Sequence, residues 1–360
     1  MVGGTAVGGA VGAICGLYRN GNGMPGEILN PGLSAEIVHS LLKISPGRAV
    51  RRVGKVFVLP FSPSELFDLL NKLCQSEPNL SLMTDAAPCS LASRNGLIDE
   101  VSVVNDRVTS TFRPKLVIDA TGSGELAFMA GVDSEISPEA ELQLAGFTVM
   151  LEGIKGRSSS LSLKVPFVIA KGVESGDLPE YLRLTVFIES ERDGEGLLKI
   201  NLPDSAANSE KDIASESSVL IRYLAAELEE MRDASTRFCS RRVYPREGRR
   251  IGGHYTLTAD DILSGARFPD AVVKAAWPME IWRPGKGASY RYPPDGDYYE
   301  IPLRCLKARG MDNLLLAGRC ISVTHEAYGS TRVIGACIPT GEAAGVAAAE
   351  MVRKGEFHAS

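Results

Sequence analysis

Residues 313–349 constrain the fold of this chain more than any other stretch. Asn313-Leu314-Leu315-Leu316-Ala317 is a short uninterrupted apolar run, the pattern of a strand buried on both faces of a parallel sheet. Gly318-Arg319 follows, placing a cation beside a glycine that lets the backbone come close to a neighbour or ligand. From Pro339 to Met351 the chain reads as an Ala-rich helix. A helix starting near Thr340-Gly341-Glu342-Ala343-Ala344 would aim its positive end at an anion; the alternative is a helix that only packs.

A second buried strand is read in Lys115-Leu116-Val117-Ile118-Asp119-Ala120-Thr121-Gly122, so the chain belongs to the α/β class. Before it, Ser62-Pro63-Ser64-Glu65 signals a helix start, with Leu66, Phe67, Leu69, Leu70 and Leu73 as its apolar face. Short strands are expected at Leu80–Met83, Cys89–Ala92, Leu97–Val104 and Arg107–Phe112, with turns at Asn95-Gly96 and Asn105-Asp106. Between about Glu139 and Ile281 the pattern changes to longer β stretches, Phe147–Leu151 and Leu182–Glu189, and a helix from Ile213 to about Ala234. Gly194–Lys211 is polar and turn-rich and is read as a loop without a functional role. At 360 residues the chain suits two interleaved lobes.

Two glycine motifs differ in context. Gly21, Gly23 and Gly26 form a literal G-x-G-x-x-G, but Arg19-Asn20 precedes it, Pro25 interrupts it and Asn30-Pro31-Gly32 follows, so a surface loop is expected. The dinucleotide fingerprint works only where a buried strand delivers the chain to a helix start. Gly122-Ser123-Gly124-Glu125-Leu126-Ala127 has that context, and it reads either as a nucleotide contact or as a tight strand-to-helix turn. No second strand ending in an acidic residue lies about 20 residues on, so this stretch does not encode a complete dinucleotide site.

The segment Val117–Ala127 resembles the one by which FAD-dependent oxidoreductases of the glutathione-reductase-like class return from a β-meander to the flavin domain. Pro245–Asp261, with Arg246-Glu247-Gly248-Arg249-Arg250-Ile251-Gly252-Gly253-His254, resembles a central signature of the family called FAD-dependent oxidoreductases. A third match runs through Ile301-Pro302-Leu303, Asp312–Ser322, His325–Arg332 and Thr340–Gly345. That family is related to the flavin-carrying part of heterodisulfide reductase and, distantly, to fumarate reductase flavoproteins.

The resemblance implies an FAD/NAD(P)-binding Rossmann-like lobe from residues 1–138 and 296–360 and an inserted α+β substrate or cap lobe over 139–295. It implies FAD as cofactor, contacted by Gly3, Gly4 and Thr5, by Asp119, Ala120, Thr121 and Gly122, by Gly318 and Arg319, and by Gly341, Glu342, Ala343 and Ala344. The family reaches a motif like Gly3-Gly4-Thr5-Ala6 only after a strand, a G-x-G-x-x-G, a helix and a second strand, so this reading expects an N-terminally truncated chain whose first βαβ unit is missing. Ser123 also departs from the acidic residue common there.

For chemistry, hydride or electron transfer through the flavin N5 to or from a small molecule, anionic in one reading, is expected, with an unknown electron donor or acceptor. Arg241, Arg242, Arg246, Arg249 and Arg250 crowd one ten-residue stretch. Such a run is either a solvated face or, through Arg246 and Arg250 with Arg332, a binder of an anionic substrate. His254 and His325 are the proton-transfer candidates, His325 the better placed in sequence. The alternatives are a fragment that does not retain FAD and an NAD(P)-only dehydrogenase using Gly122–Ala127. Seven scattered cysteines without C-x-x-C spacing, and four histidines, suggest neither a metal site nor an iron–sulfur cluster. A net charge of -5 and the lack of any 20-residue apolar run argue against nucleic-acid and membrane partners and for the cytoplasm.

Overall fold

The computed structural model describes residues 1–155, 160–190, 192–203, 210–240 and 242–356, with the backbone alone over 210–216. A short helix α1 (Gly4–Gly8) leads to strand β1 (Ala13–Cys15), and Pro31 then opens helix α2 (Gly32–Ile44). Strands β2 (Arg51–Val53) and β3 (Val56–Pro60) follow, and β3 pairs antiparallel with both β1 and β2. Ser62 and Glu65 form the expected capping box of helix α3 (Pro63–Ser76), which buries Leu66 and Leu69 against Ile14, Leu41 and Leu59. Glu65 also holds the buried Arg48 at 2.5 Å, and Arg48 donates to Leu41 O of α2, so one carboxylate secures both helices. Gly21, Gly23 and Gly26 lie in an irregular loop, and a Cβ added at any of the three would meet nothing within 4 Å.

The meander β4 (Ala86–Arg94), β5 (Leu97–Asn105) and β6 (Val108–Phe112) turns at Asn95-Gly96 and Asp106-Arg107, where positive φ values reverse the chain tightly. Leu80–Met83, expected as a strand, is not one: Leu80, Leu82 and Met83 are exposed, and without a face to bury the segment gains nothing by pairing. Strand β7 (Val117–Asp119) then runs to the turn at Gly122–Gly124 and helix α4 (Glu125–Met129), the strand–turn–helix order its sequence indicates.

After strand β8 (Ser134–Glu135), β9 (Ala145–Glu152) enters a second core. Helix α5 (Leu161–Ser175), strands β10 (Val186–Glu189) and β11 (Gly196–Leu202), helix α6 (Glu210–Glu227) and strand β12 (Ser235–Cys239) complete it. The sheet order is β10-β11-β9-β12, all antiparallel, with Phe147, Leu151, Leu198, Ile200, Leu161 and Val165 in its core. The loop expected over Gly194–Lys211 is therefore corrected: β11 is an inner strand of this sheet. The sequence on either side of it is polar, but Leu198, Ile200 and Leu202 alternate on the buried face.

Strand β13 (Arg250–Ile251) pairs with β8, and helix α7 (Ala259–Ser264) starts on Thr258 in a capping box with Asp261. Strands β14 (Ala271–Ala275), β15 (Met279–Arg283), β16 (Gly287–Arg291) and β17 (Tyr299–Pro302) form two hairpin-like pairs, β14 with β17 and β15 with β16. Strand β18 (Leu314–Leu316), fully buried, lies parallel to β7 in the register Leu314↔Val117 to Leu316↔Asp119. Asn313 locks this pair to the meander, its side chain accepting from Ile98 N at 2.8 Å and donating to Ile98 O at 3.0 Å. Helix α8 (His325–Thr331) and the long helix α9 (Ile334–Lys354) close the chain.

The start of α9 corrects a second expectation, since it begins at Ile334 and not near Thr340. Val333 is extended and ends the preceding segment, and Gly335 lets the first turn sit where a Cβ would lie 2.4 Å from Cys15 O. Pro339 is thus inside the helix, and Gly341–Ala344 lie beyond its first turn. No helix among the described residues is long and apolar enough to cross a membrane.

Candidate functional site

The carboxyl ends of parallel strands are where α/β sheets present ligand sites, because the chain leaves each strand there in a loop with free backbone groups. At the end of β7 the buried Asp119 carboxylate accepts from Thr121 N (3.0 Å), Thr121 Oγ1 (2.7 Å) and Ala127 N (3.0 Å). Asp119 therefore ties the loop to α4, leaving Ala120 and Thr121 exposed on its surface. Gly122 and Gly124 have φ of 83° and 64°, the left-handed region open to glycine at little cost.

The end of β18 lies beside this loop, with Ala317 N donating to Asp119 O at 2.9 Å. Gly318, also at positive φ, has nothing nearer than 3.9 Å to the place of its missing Cβ, and its N–H donates to Thr340 Oγ1 at 2.9 Å. The Arg319 guanidinium lies against Gly122, where a Cβ would come within 2.7 Å of Nη2. It donates through Nη1 to Pro245 O at 2.6 Å, and Nε and Nη2 have no hydrogen-bond partner among the described residues. Gly248 packs so closely that a Cβ there would lie 2.9 Å from Gly122 O. Three segments distant in sequence, around Gly122, Gly248 and Gly318, thus pack together where β7 and β18 end.

Next to this junction stands a buried polar network. His325 Nδ1 lies 2.8 Å from Ser137 Oγ and 3.1 Å from Glu247 Oε1. Arg250 Nη1 donates to the same Glu247 oxygen at 2.6 Å, and Gln143 N donates to Glu247 Oε2 at 3.4 Å. Burial alone would raise the Glu247 pKa, but hydrogen bonds from His325 and Ser137 and the charge of Arg250 hold it below the ordinary value. Glu247 and Ser137 both meet Nδ1 and so fix the orientation of the ring, with no hydrogen-bond partner for Nε2 among the described residues. Neither Glu247 nor Ser137 is singled out by sequence reasoning; the acid set inside the arginine run was the available signal.

Gln143 joins this network to a cluster of buried charges. Its Oε1 accepts from Arg332 Nη2 at 3.4 Å and from Trp282 N at 3.3 Å, and Arg332 Nη2 also donates to Glu280 O at 3.1 Å. The Glu280 carboxylate accepts from both tryptophans of the chain, Trp282 Nε1 at 2.6 Å and Trp277 Nε1 at 3.1 Å. Burial would raise its pKa, but Arg332, Lys199 and the Trp282 bond prevail and lower it. Arg246, over the Trp282 ring at 4.8 Å, donates to Leu144 O, Ala145 O and Asn201 Oδ1. Burial pushes the Lys199 ammonium down to about 8 and the Cys15 thiol up to about 12.

Of the residues expected at the site, the structure gathers Asp119–Gly122, Gly318, Arg319, Arg246, Arg250, His325 and Arg332 around this junction and its adjoining network. His254 is not among them: its backbone pairs with Lys307, and its side chain is exposed with no hydrogen bond among the described residues. Gly3 caps α1 against Leu70 of α3, and Gly4 and Thr5 open that helix. Glu342 accepts from Leu33 N at 2.9 Å, so its carboxylate caps α2. Arg241 lies outside the described residues, and Arg249 packs over Phe128 at 4.1 Å.

A family model described as FAD dependent oxidoreductase matches residues 1–359. No curated protein matches the chain. Among solved structures, a geranylgeranyl bacteriochlorophyll reductase-like protein from Thermoplasma acidophilum is 10% identical with a TM-score of 0.45, over 85% of this chain and 58% of its own. A triple mutant of the flavin-dependent brominase Bmp2 is 12% identical with a TM-score of 0.43, over 93% of this chain and 73% of its own. The p-nitrophenol 4-monooxygenase PnpA from Pseudomonas putida DLL-E4 is 10% identical with a TM-score of 0.39, over 96% and 66%. The chain therefore spans less than two thirds of the first and third of these proteins.

Proposed function

The chain belongs to the FAD dependent oxidoreductase family, and from that premise we propose that the junction at the ends of β7 and β18 holds its FAD beside a small-molecule site in the adjoining polar network. FAD is the cofactor and the activity is flavin-dependent redox chemistry. An NAD(P)-only dehydrogenase built on Gly122–Ala127 is set aside by that membership. In this reading residues 1–138 and 296–360 carry the cofactor and 139–295 cover it.

The residues present fit the cofactor at this junction. Gly318 stands beside an arginine whose Nε and Nη2 are unpaired among the described residues, which suits a phosphate or a ribityl hydroxyl. Gly122, Ala120 and Thr121 would line the other wall. When bound, FAD supplies a two-electron acceptor and donor at its flavin N5. His325, aligned by Glu247 and Ser137, takes up the proton released when a substrate loses hydride, and Arg250 keeps Glu247 ionised. The single observation that carries this reading is the convergence of Gly122, Gly248 and Arg319 at the carboxyl ends of two parallel strands.

The test is FAD affinity, followed by flavin fluorescence, in wild type and Arg319→Ala. Loss of one charge-assisted contact corresponds to roughly a tenfold or greater weakening, about 1.5–3 kcal/mol. Unchanged affinity in a variant with native circular dichroism would place the cofactor elsewhere.

A further inference from the structure

Strand β11 carries one charge in an apolar run, Leu197-Leu198-Lys199-Ile200-Asn201-Leu202. Alternation sends Leu198, Ile200 and Leu202 into the core between β11 and its helices. Leu197, Lys199 and Asn201 share the opposite face, where Leu197 meets Gly12, Lys199 stands 5.8 Å from the Trp282 ring centroid and Asn201 accepts from Arg246. That face closes over Cys15, Glu280 and Arg332, whose charges Lys199 senses.

The donors there divide into spent and unspent. Arg246 is engaged by two carbonyls and Asn201, and both Glu280 oxygens are taken by the tryptophans. Lys199 Nζ, in contrast, makes no hydrogen bond or ion pair among the described residues. Arg332 Nε and Gln143 Nε2 are buried without a partner, and Gln143 itself is 1% exposed. Three cations, Lys199, Arg246 and Arg332, face one carboxylate, Glu280, which leaves an excess of positive charge. Arg332 Nε and Gln143 Nε2 are buried while Lys199 is partly exposed, and such an excess is costly at the buried donors unless an anion completes it.

We infer that this face binds the carboxylate of a small organic acid, through Lys199 Nζ, Arg332 Nε and Gln143 Nε2. The inference rests on the reading of the neighbouring junction as the flavin site, for which this acid is the substrate. A carboxylate matches the donors better than a phosphate: its two oxygens can be satisfied by three donors, whereas a phosphate buries more oxygens than these groups can serve. Arg246 is a positioning residue here, since its terminal nitrogens hold Leu144 O, Ala145 O and Asn201 Oδ1.

Both tryptophans of the chain donate to Glu280, so intrinsic tryptophan fluorescence reports on this site alone. The experiment titrates the purified full chain with propionate at pH 7 and constant ionic strength, with propionamide and inorganic phosphate as separate arms. Saturable change with propionate, none with propionamide, weaker binding of phosphate, and at least a tenfold loss in Lys199→Met with native near-ultraviolet circular dichroism are expected. Propionate without saturable effect, equal binding in Lys199→Met, or phosphate binding as tightly as propionate each overturns the inference. FAD retention is measured in the same preparation. Retained FAD with no propionate binding defeats this inference alone, and Lys199-dependent propionate binding without FAD defeats the flavin reading while sustaining the acid site.

Discussion

Replacing Lys199 by methionine keeps the length of the side chain and removes its charge, and it should stabilise the ligand-free protein. Burial, the largest cause, and Arg246 depress the ammonium from 10.5 to about 8 despite the opposing pull of Glu280. At about 1.4 kcal/mol for each tenfold, that fall is a penalty of about 3 kcal/mol on the folded state. The sign follows from proton uptake: below pH 8 the lysine is charged in both states and the folded one carries the full penalty. Between pH 8 and 10.5 the folded protein releases the proton first, and above 10.5 the penalty is gone. The gain in Lys199→Met is therefore full at pH 7 and fades towards pH 10.5. With an unfolding entropy of about 2 cal/mol/K per residue, about 3 kcal/mol corresponds to roughly 4 °C in a chain of this length. Thermal unfolding of both proteins at pH 7 and pH 10.5 measures it. A variant less stable than wild type at pH 7, or a difference independent of pH, would refute the reasoning. The same substitution should weaken carboxylate binding at least tenfold, so stability and function move in opposite directions.

Two further outcomes follow from the site. Glu247→Gln leaves the buried Arg250 with only the exposed Glu135, 3.8 Å away, as counter-charge and His325 without its carboxylate, so a loss of about 3 kcal/mol is expected by denaturant unfolding at pH 7. Because the Glu247 pKa is depressed, this difference is full above pH 4.5 and shrinks as the wild-type carboxylate protonates at lower pH; a constant difference on acidification counts against the ion pair. Gly122→Ala meets both a positive φ of 83° and the Arg319 guanidinium. It should cost about 1–2 kcal/mol of stability and weaken FAD retention, and an unperturbed variant would show that the turn is not under that constraint.

What could be read from the residues was set by short-range chemistry. The capping box at Ser62, the turn at Asn95-Gly96 and the buried strand ending at Ala317 each depend on neighbours within a few positions, and the strand ending at Asp119 forms as read but leaves Ile118 exposed on one face. Membership of the family bears out the FAD and oxidoreductase readings that rested on these segments and on Pro245–Asp261. What escaped depended on partners far along the chain. Lys199 is hidden in the sequence because polar sequence flanks β11, and only the sheet shows that it faces Trp282. The arginine run gives no hint that Arg246 and Arg250 spend their donors on Leu144, Ala145, Asn201, Ser137 and Glu247. Pro339 suggests a helix start, but Gly335 packed on Cys15 O sets α9 earlier. Glu342, beside the conspicuous Gly341, is claimed by the N–H of Leu33, 309 positions away in sequence.

The most direct measurement is FAD retention by the purified chain: incubation with FAD, removal of free flavin by gel filtration, and the visible absorption spectrum of the protein peak. The account predicts the two flavin bands co-eluting with the protein in stoichiometric amount, weakened in Arg319→Ala. A colourless protein peak from folded wild-type chain would contradict it.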